Sequence, residues 1–152
     1  MSKLQGYLYI AGLMIILSSC QQEYTPINPT GGPKYVVEGY VEAGENPFPP
    51  YVIFTHTLEF NGKLGPDDFT ASFVHDATVL VSDGSKEIRF TEVCLSELDP
   101  QIRKEVAAQF GFNADSLAID FCVYADLLNE LQAQVGKTYQ LRIYTGTDSL
   151  SA

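Results

Sequence analysis

The chain has no tryptophan, two methionines, two histidines and three cysteines. Each scarcity narrows what it can do. Without tryptophan the best platform for a sugar ring is missing, and the nine tyrosines and nine phenylalanines are more simply core. His56 and His75 are the only side chains that titrate near neutral pH when unperturbed. Basic residues are scarce as well, nine against nineteen acids, for a net charge of −10. Such a surface repels phosphate backbones, which argues against nucleic acid, and anionic lipid headgroups do not attract it. Long apolar runs are lacking: Leu8 to Leu17 is the longest, and a bilayer-spanning helix needs about 20 residues. There is no phosphate loop, no Gly-x-Ser-x-Gly and no zinc-binding helix motif.

Little catalytic chemistry is left after those exclusions. A catalytic centre needs a nucleophile, a base and an orienting group. His75 and Asp76 are neighbours in a stretch that reads as a strand, so their side chains should point to opposite faces. His56 lies between two threonines and reads as a polar surface residue. Asp67-Asp68 resembles part of a calcium turn but lacks the regular spacing of oxygen ligands. No catalytic residue, metal ligand set or cofactor is expected, and the chain reads as a non-enzyme.

What is present begins with the leader. Lys3 precedes the apolar run Leu8 to Leu17, then come Ser18, Ser19 and Cys20. A basic start, a short apolar core and small residues make a signal peptide. Leu17-Ser18-Ser19-Cys20 is a lipobox, and it assigns residues 1–19 to a lipoprotein signal peptide and Cys20 to lipidation. The competing readings are a transmembrane anchor, or plain secretion with a chance cysteine. One acyl chain binds only marginally and two or more hold firmly, so acyl chains (palmitate among them) on Cys20 would carry the membrane attachment. No aspartate follows Cys20 directly, and Gln21-Gln22-Glu23 suits sorting to the cell outer membrane. Residues 20–33, with Pro26, Pro29, Gly31, Gly32 and Pro33, read as an extended tether.

Residues 34–152 read as one β-sandwich domain. The stretches 34–42, 51–58, 74–82, 87–93 and 137–144 alternate or are continuously apolar, as strands do. Gly39 reads as a bulge. Asp83-Gly84 is a hairpin turn. Short strands separated by Gly/Pro turns argue for an antiparallel sandwich. Asp99-Pro100 starts a helix with Ile102, Val106 and Phe110 on one face and Gly111 at its end. Leu127, Leu128, Leu131 and Val135 suggest a second helix within 124–135, closed by Gly136. A helical insertion of roughly 40 residues therefore separates two strands.

Cys94 and Cys122 flank that insertion. In an exported protein two remaining cysteines usually pair, and the closed loop would stabilise by about 3–4 kcal/mol and pin the insertion to the sandwich edge. Two free buried thiols are the main alternative. A metal site is the weaker one, because only His56 and His75 could join and both fall in predicted strands.

Several stretches together carry a family resemblance: residues 34–42, 49–57, 73–84, Thr91 to Leu95, Asp120 to Tyr124 and Gly136 to Ile143. The chain resembles the lipoproteins of the Bacteroidetes grouped as domain of unknown function 4249. The resemblance covers residues 34–152, and none of its motifs is catalytic. It implies an immunoglobulin-like or prealbumin-like sandwich and an outer-membrane lipoprotein, either periplasmic or surface-facing. It also implies an accessory or binding role at a TonB-dependent receptor. Members of that family are usually longer. The resemblance therefore implies a truncated member that stops at Ser149–Ala152, where the next strand starts, with an exposed sheet edge there. The other functions open to such a chain are a surface hydrolase or glycan-handling protein with its site further on, and a structural envelope protein.

Overall fold

A computed structural model describes residues 32–45, 47–58, 63–146 and 148–152. Cys20, the leader and all of the tether but Gly32 and Pro33 lie outside the described residues. In chain order come β1 (Tyr35–Tyr40), β2 (Tyr51–His56), α1 (Pro66–Thr70), β3 (Thr78–Ser82) and β4 (Glu87–Cys94). After a 3₁₀ turn (Leu95–Glu97) follow α2 (Pro100–Gln109), β5 (Cys122–Ala125), β6 (Gln140–Thr145) and β7 (Asp148–Ser151). All seven strands pair antiparallel in one sheet, in the order β1-β2-β5-β4-β3-β6-β7.

That sheet curls. Val52 and Phe54 of β2 share a buried cluster with Val79 and Val81 of β3 and Ile143 of β6, strands well apart in the order. Tyr35 and Val37 of β1 pack on the same cluster as Leu141 and Leu150. The Tyr35 hydroxyl donates to Asp148 Oδ2 at 3.3 Å, which links the first strand to the last. The curl follows from alternation: β3 and β4 bury every second residue, so one face of each strand must find apolar cover. A second cluster lies beneath α2 and the loop that follows it, with Phe73, Leu95, Ala107, Phe121 and Val123 among its members.

The β3–β4 hairpin forms where Asp83-Gly84 placed it, with Gly84 at φ 87 and Ser82 paired to Glu87. Asp83 accepts from the N–H groups of Ser85 and Lys86 and from the Ser85 hydroxyl. Those bonds hold its carboxyl well below the usual carboxylate range. The helix after Asp99 also forms. Asp99 accepts from the Gln101 N–H at 2.9 Å, and Pro100 opens the first turn. At the other end Phe112 N–H bonds Ala107 O at 2.8 Å and Gly111 N–H bonds Ala108 O at 3.0 Å, with Gly111 at φ 78. This is a Schellman cap, which needs the left-handed glycine.

Other expectations fail for identifiable reasons. Gly39 makes no bulge; it pairs in regular register with Val52. β3 begins at Thr78, not Val74, because Asp76 turns the chain at φ 58 and Phe73–Val74 pair with β2 instead. Asp67-Asp68 lie in α1, where Asp68 Oδ2 accepts the Gly65 N–H at 2.7 Å and so closes the helix start. On α2 Val106 and Phe110 pack inward as expected, but Ile102 does not. Ala107 is buried and Ile102 is 50% exposed, because Arg103 takes the inward row and donates to the carbonyls of Ser96 and Leu98.

The second helix does not exist. Cys122–Ala125 is β5, and the rest of 124–135 is turns and irregular chain. Buried Asp126 accepts the Leu131 N–H at 2.6 Å, Asn129 takes φ 51, and Leu131 plugs the inner cluster. Leu128 and Val135 are left 80% and 93% exposed. Helical spacing in that stretch lost to strand pairing on both sides of β5. The insertion is therefore shorter than expected, and Cys94 and Cys122 join two central strands rather than an edge.

Candidate functional site

β4 and β5 pair as Glu92↔Tyr124, Val93↔Val123 and Cys94↔Cys122. Residues two apart on a strand share a face, so Glu92 and Cys94 stand beside Tyr124 and Cys122 in one four-residue block. The Sγ atoms of Cys94 and Cys122 are 2.03 Å apart, at disulfide-bond distance, across a Cα separation of 4.1 Å. That spacing belongs to directly opposed residues of a non-hydrogen-bonded pair.

The segment Phe73–Ala77 crosses this block. It leaves its pairing with β2 at Val74, and Asp76 in the left-handed region turns it toward β3. The turn sets His75 Nδ1 against Glu92 Oε1. With the carboxylate ionised, Nδ1 carries the hydrogen. Glu92 Oε2 accepts the Asp76 N–H at 3.0 Å. The Tyr124 hydroxyl accepts the Ala77 N–H at 3.0 Å and has one hydrogen to give. The Val74 carbonyl at 2.8 Å is the closer taker, and Glu92 Oε2 at 3.2 Å the further. Burial pushes that phenol up to about 12, and the Glu92 charge adds to the shift. Tyr124 therefore keeps its hydrogen at neutral pH and fastens the crossing segment to β5.

Strand positions for both histidines argue against a metal site. His56 does close β2, where its ring packs 4.9 Å from Tyr35 and its buried Nδ1 has no partner among the described residues. His75 lies outside any strand. One ligand atom from each of His75, Glu92, Cys94 and Cys122 falls in a group whose members are all within 4.8 Å of one another. His75 is exposed, Glu92 half-buried and the two cysteines buried, so the group opens to solvent on the histidine side. Sequence reasoning missed this because residues 75, 92 and 94 meet 122 only through strand register. The one local signal was the cysteine pair itself.

A second hollow, of about 250 Å³, lies under α2, lined by Leu95, Ser96, Arg103, Leu117, Ile119 and Asp120. Asp120 accepts from both the N–H and the hydroxyl of Ser96. Arg103 Nε is buried there without a partner among the described residues. The aromatic residues form a third feature. Tyr40 stacks on Tyr51 at 4.8 Å, Tyr51, Phe48 and Phe110 meet edge to face, and Phe110 lies tilted against Phe121. Of these Phe121 is buried, Tyr51 and Phe110 are half-buried against the same cluster, Phe48 is half-buried and Tyr40 is exposed.

No protein-family model matches the chain, and neither the curated proteins nor the solved structures yield a match.

Proposed function

We propose that the chain is an outer-membrane lipoprotein, held by acyl chains on Cys20, whose β-rich domain is a binding or accessory module for a TonB-dependent transporter. The observation that carries this is the lipobox Leu17–Cys20 directly after a short apolar core and a single lysine. The charge agrees with it. All nineteen acids lie after Cys20, so the domain has no electrostatic pull toward anionic lipid and depends on its acyl chains. We read the domain as an immunoglobulin-like or prealbumin-like sandwich of the domain of unknown function 4249 kind. A seven-stranded antiparallel sheet curled over one buried cluster supports that reading. The part is one of binding rather than catalysis.

Cys20→Ala should move the protein out of the membrane fraction and abolish incorporation of radiolabelled palmitate. Continued labelling of that variant sinks the lipid anchor. Mild detergent extraction should bring down a TonB-dependent receptor with the wild-type protein, and its absence argues against the transporter role.

A further inference from the structure

We propose that the block formed by His75, Glu92, Cys94 and Cys122 is a redox-gated site for a divalent soft metal, zinc in chemical class, closed in the disulfide form and open in the dithiol form. The argument starts from the register. Cross-strand pairing places two sulfurs and a carboxylate on one face of β4–β5, and the turn at Asp76 delivers an imidazole to them. Two thiolates, one imidazole and one carboxylate are a donor set that zinc takes in four-coordinate form.

The spacing fits. Ligands about 2.0–2.3 Å from a tetrahedral metal stand roughly 3.3–3.8 Å from each other. The four donor atoms already lie within 4.8 Å of one another. On reduction the two sulfurs, bonded at 2.03 Å, part toward about 3.8 Å, and the close Nδ1–Oε1 contact widens to about 3.3 Å, both by side-chain rotation. The metal takes the place of the hydrogen between Nδ1 and Oε1, and the neutral imidazole then carries its hydrogen on the solvent-facing Nε2. Around the donors the supports are in place: the Asp76 N–H holds Glu92 Oε2, with the Tyr124 hydroxyl beside it, and leaves Oε1 to turn to the metal. The Cys94–Cys122 ladder position keeps both sulfurs on the same face after the bond is broken.

The opening step is thiol–disulfide exchange with a dithiol reductant. One S–S bond breaks, the reductant's two thiols become a disulfide, and Cys94 and Cys122 gain one hydrogen each. Both thiols then release their protons to solvent as the metal binds, so uptake is stronger at higher pH. In the oxidised form no thiolate exists and the site holds no metal. The site uses residues 75–122 alone and is independent of the anchor on Cys20.

The test uses the full chain carrying Cys20→Ala in every sample, so that no third thiol contributes, purified in mild detergent. One portion stays oxidised; another is reduced and freed of reductant without air. Both are titrated with Co²⁺, then with Zn²⁺ in competition. The reduced chain should take up one cobalt with thiolate-to-metal charge-transfer absorption, and zinc should displace it. The oxidised chain should show no such band. His75→Ala and Glu92→Gln keep the disulfide and the fold in the oxidised state. After reduction each should weaken cobalt binding at least about ten-fold, the loss seen even for an outer-shell partner. The proposal is overturned if the reduced chain binds no cobalt, or if both variants bind as tightly as the parent. A reduced chain that unfolds and does not regain its β signal in circular dichroism with cobalt overturns it as well.

Discussion

The two faces of the central strands are packed differently. On the inner side the curled sheet encloses Phe54, Val79, Leu131 and Ile143, each almost fully buried, with cover from strands β1 to β7. On the outer side α2 and its loop cover Phe73, Phe121 and Val123, which keep a little exposure, and a cysteine pair ties β4 to β5 beside them. Phe54 is 1% exposed and Phe121 is 9%. The inner cluster is held by many strands that cover one another. The outer one has a ten-residue helix, its caps and a covalent tie. Where non-covalent cover is thin, a crosslink supplies what burial does not.

The comparison breaks first on the largest substitutions. Phe54→Ala should cost about 4–5 kcal/mol, the upper end for a buried phenylalanine, because the curled sheet cannot collapse onto the void. Phe121→Ala should cost about 3 kcal/mol, since α2 can settle toward the gap. Equal losses in urea denaturation would remove the distinction between the faces. Opening the cysteine pair comes next. With its ends 28 positions apart in the chain, Cys94→Ser with Cys122→Ser should lower stability by about 3–4 kcal/mol. Hydrogen exchange should rise in α2 and β5 and stay unchanged in β3 and β6. Uniform loss of protection would show that both faces depend on the crosslink.

Tyr124→Phe should have a smaller effect, about 1–3 kcal/mol, by stranding the buried Ala77 N–H and the Val74 carbonyl. It also has a pH signature. Burial raises the phenol from 10.0 in the unfolded chain to about 12 in the fold. The folded state therefore keeps its proton where the unfolded state loses it. This contribution is complete below pH 10 and is lost as pH rises toward 12. The difference between wild type and Tyr124→Phe in alkaline denaturation should shrink across that window. A constant difference would show that the hydroxyl is solvated.

Much of the secondary structure was legible in the sequence. The apolar run over 51–58 and the alternation over 87–93 located β2 and β4 to within a few residues, and Asp99-Pro100 and Gly111 marked both ends of α2. Legibility failed where two local codes competed. Residues 124–135 carry leucines at helical spacing, yet Cys122–Ala125 is taken by two neighbouring strands, and buried Asp126 then binds the loop. His75-Asp76 looked like an ordinary strand pair, because nothing in the residue types announces that Asp76 adopts φ 58.

By itself the sequence determined the antiparallel β character, the hairpin at Asp83-Gly84 and the helix after Asp99. These depend on the period of side-chain burial and on turn and cap chemistry, which act over a few residues. Only the tertiary structure decided that β5 inserts between β2 and β4, that α2 buries Ala107 and not Ile102, and that His75 meets Glu92 beside Cys94 and Cys122. Those outcomes depend on register between strands distant in the chain, and a one-residue slip would turn each of these side chains to the other face.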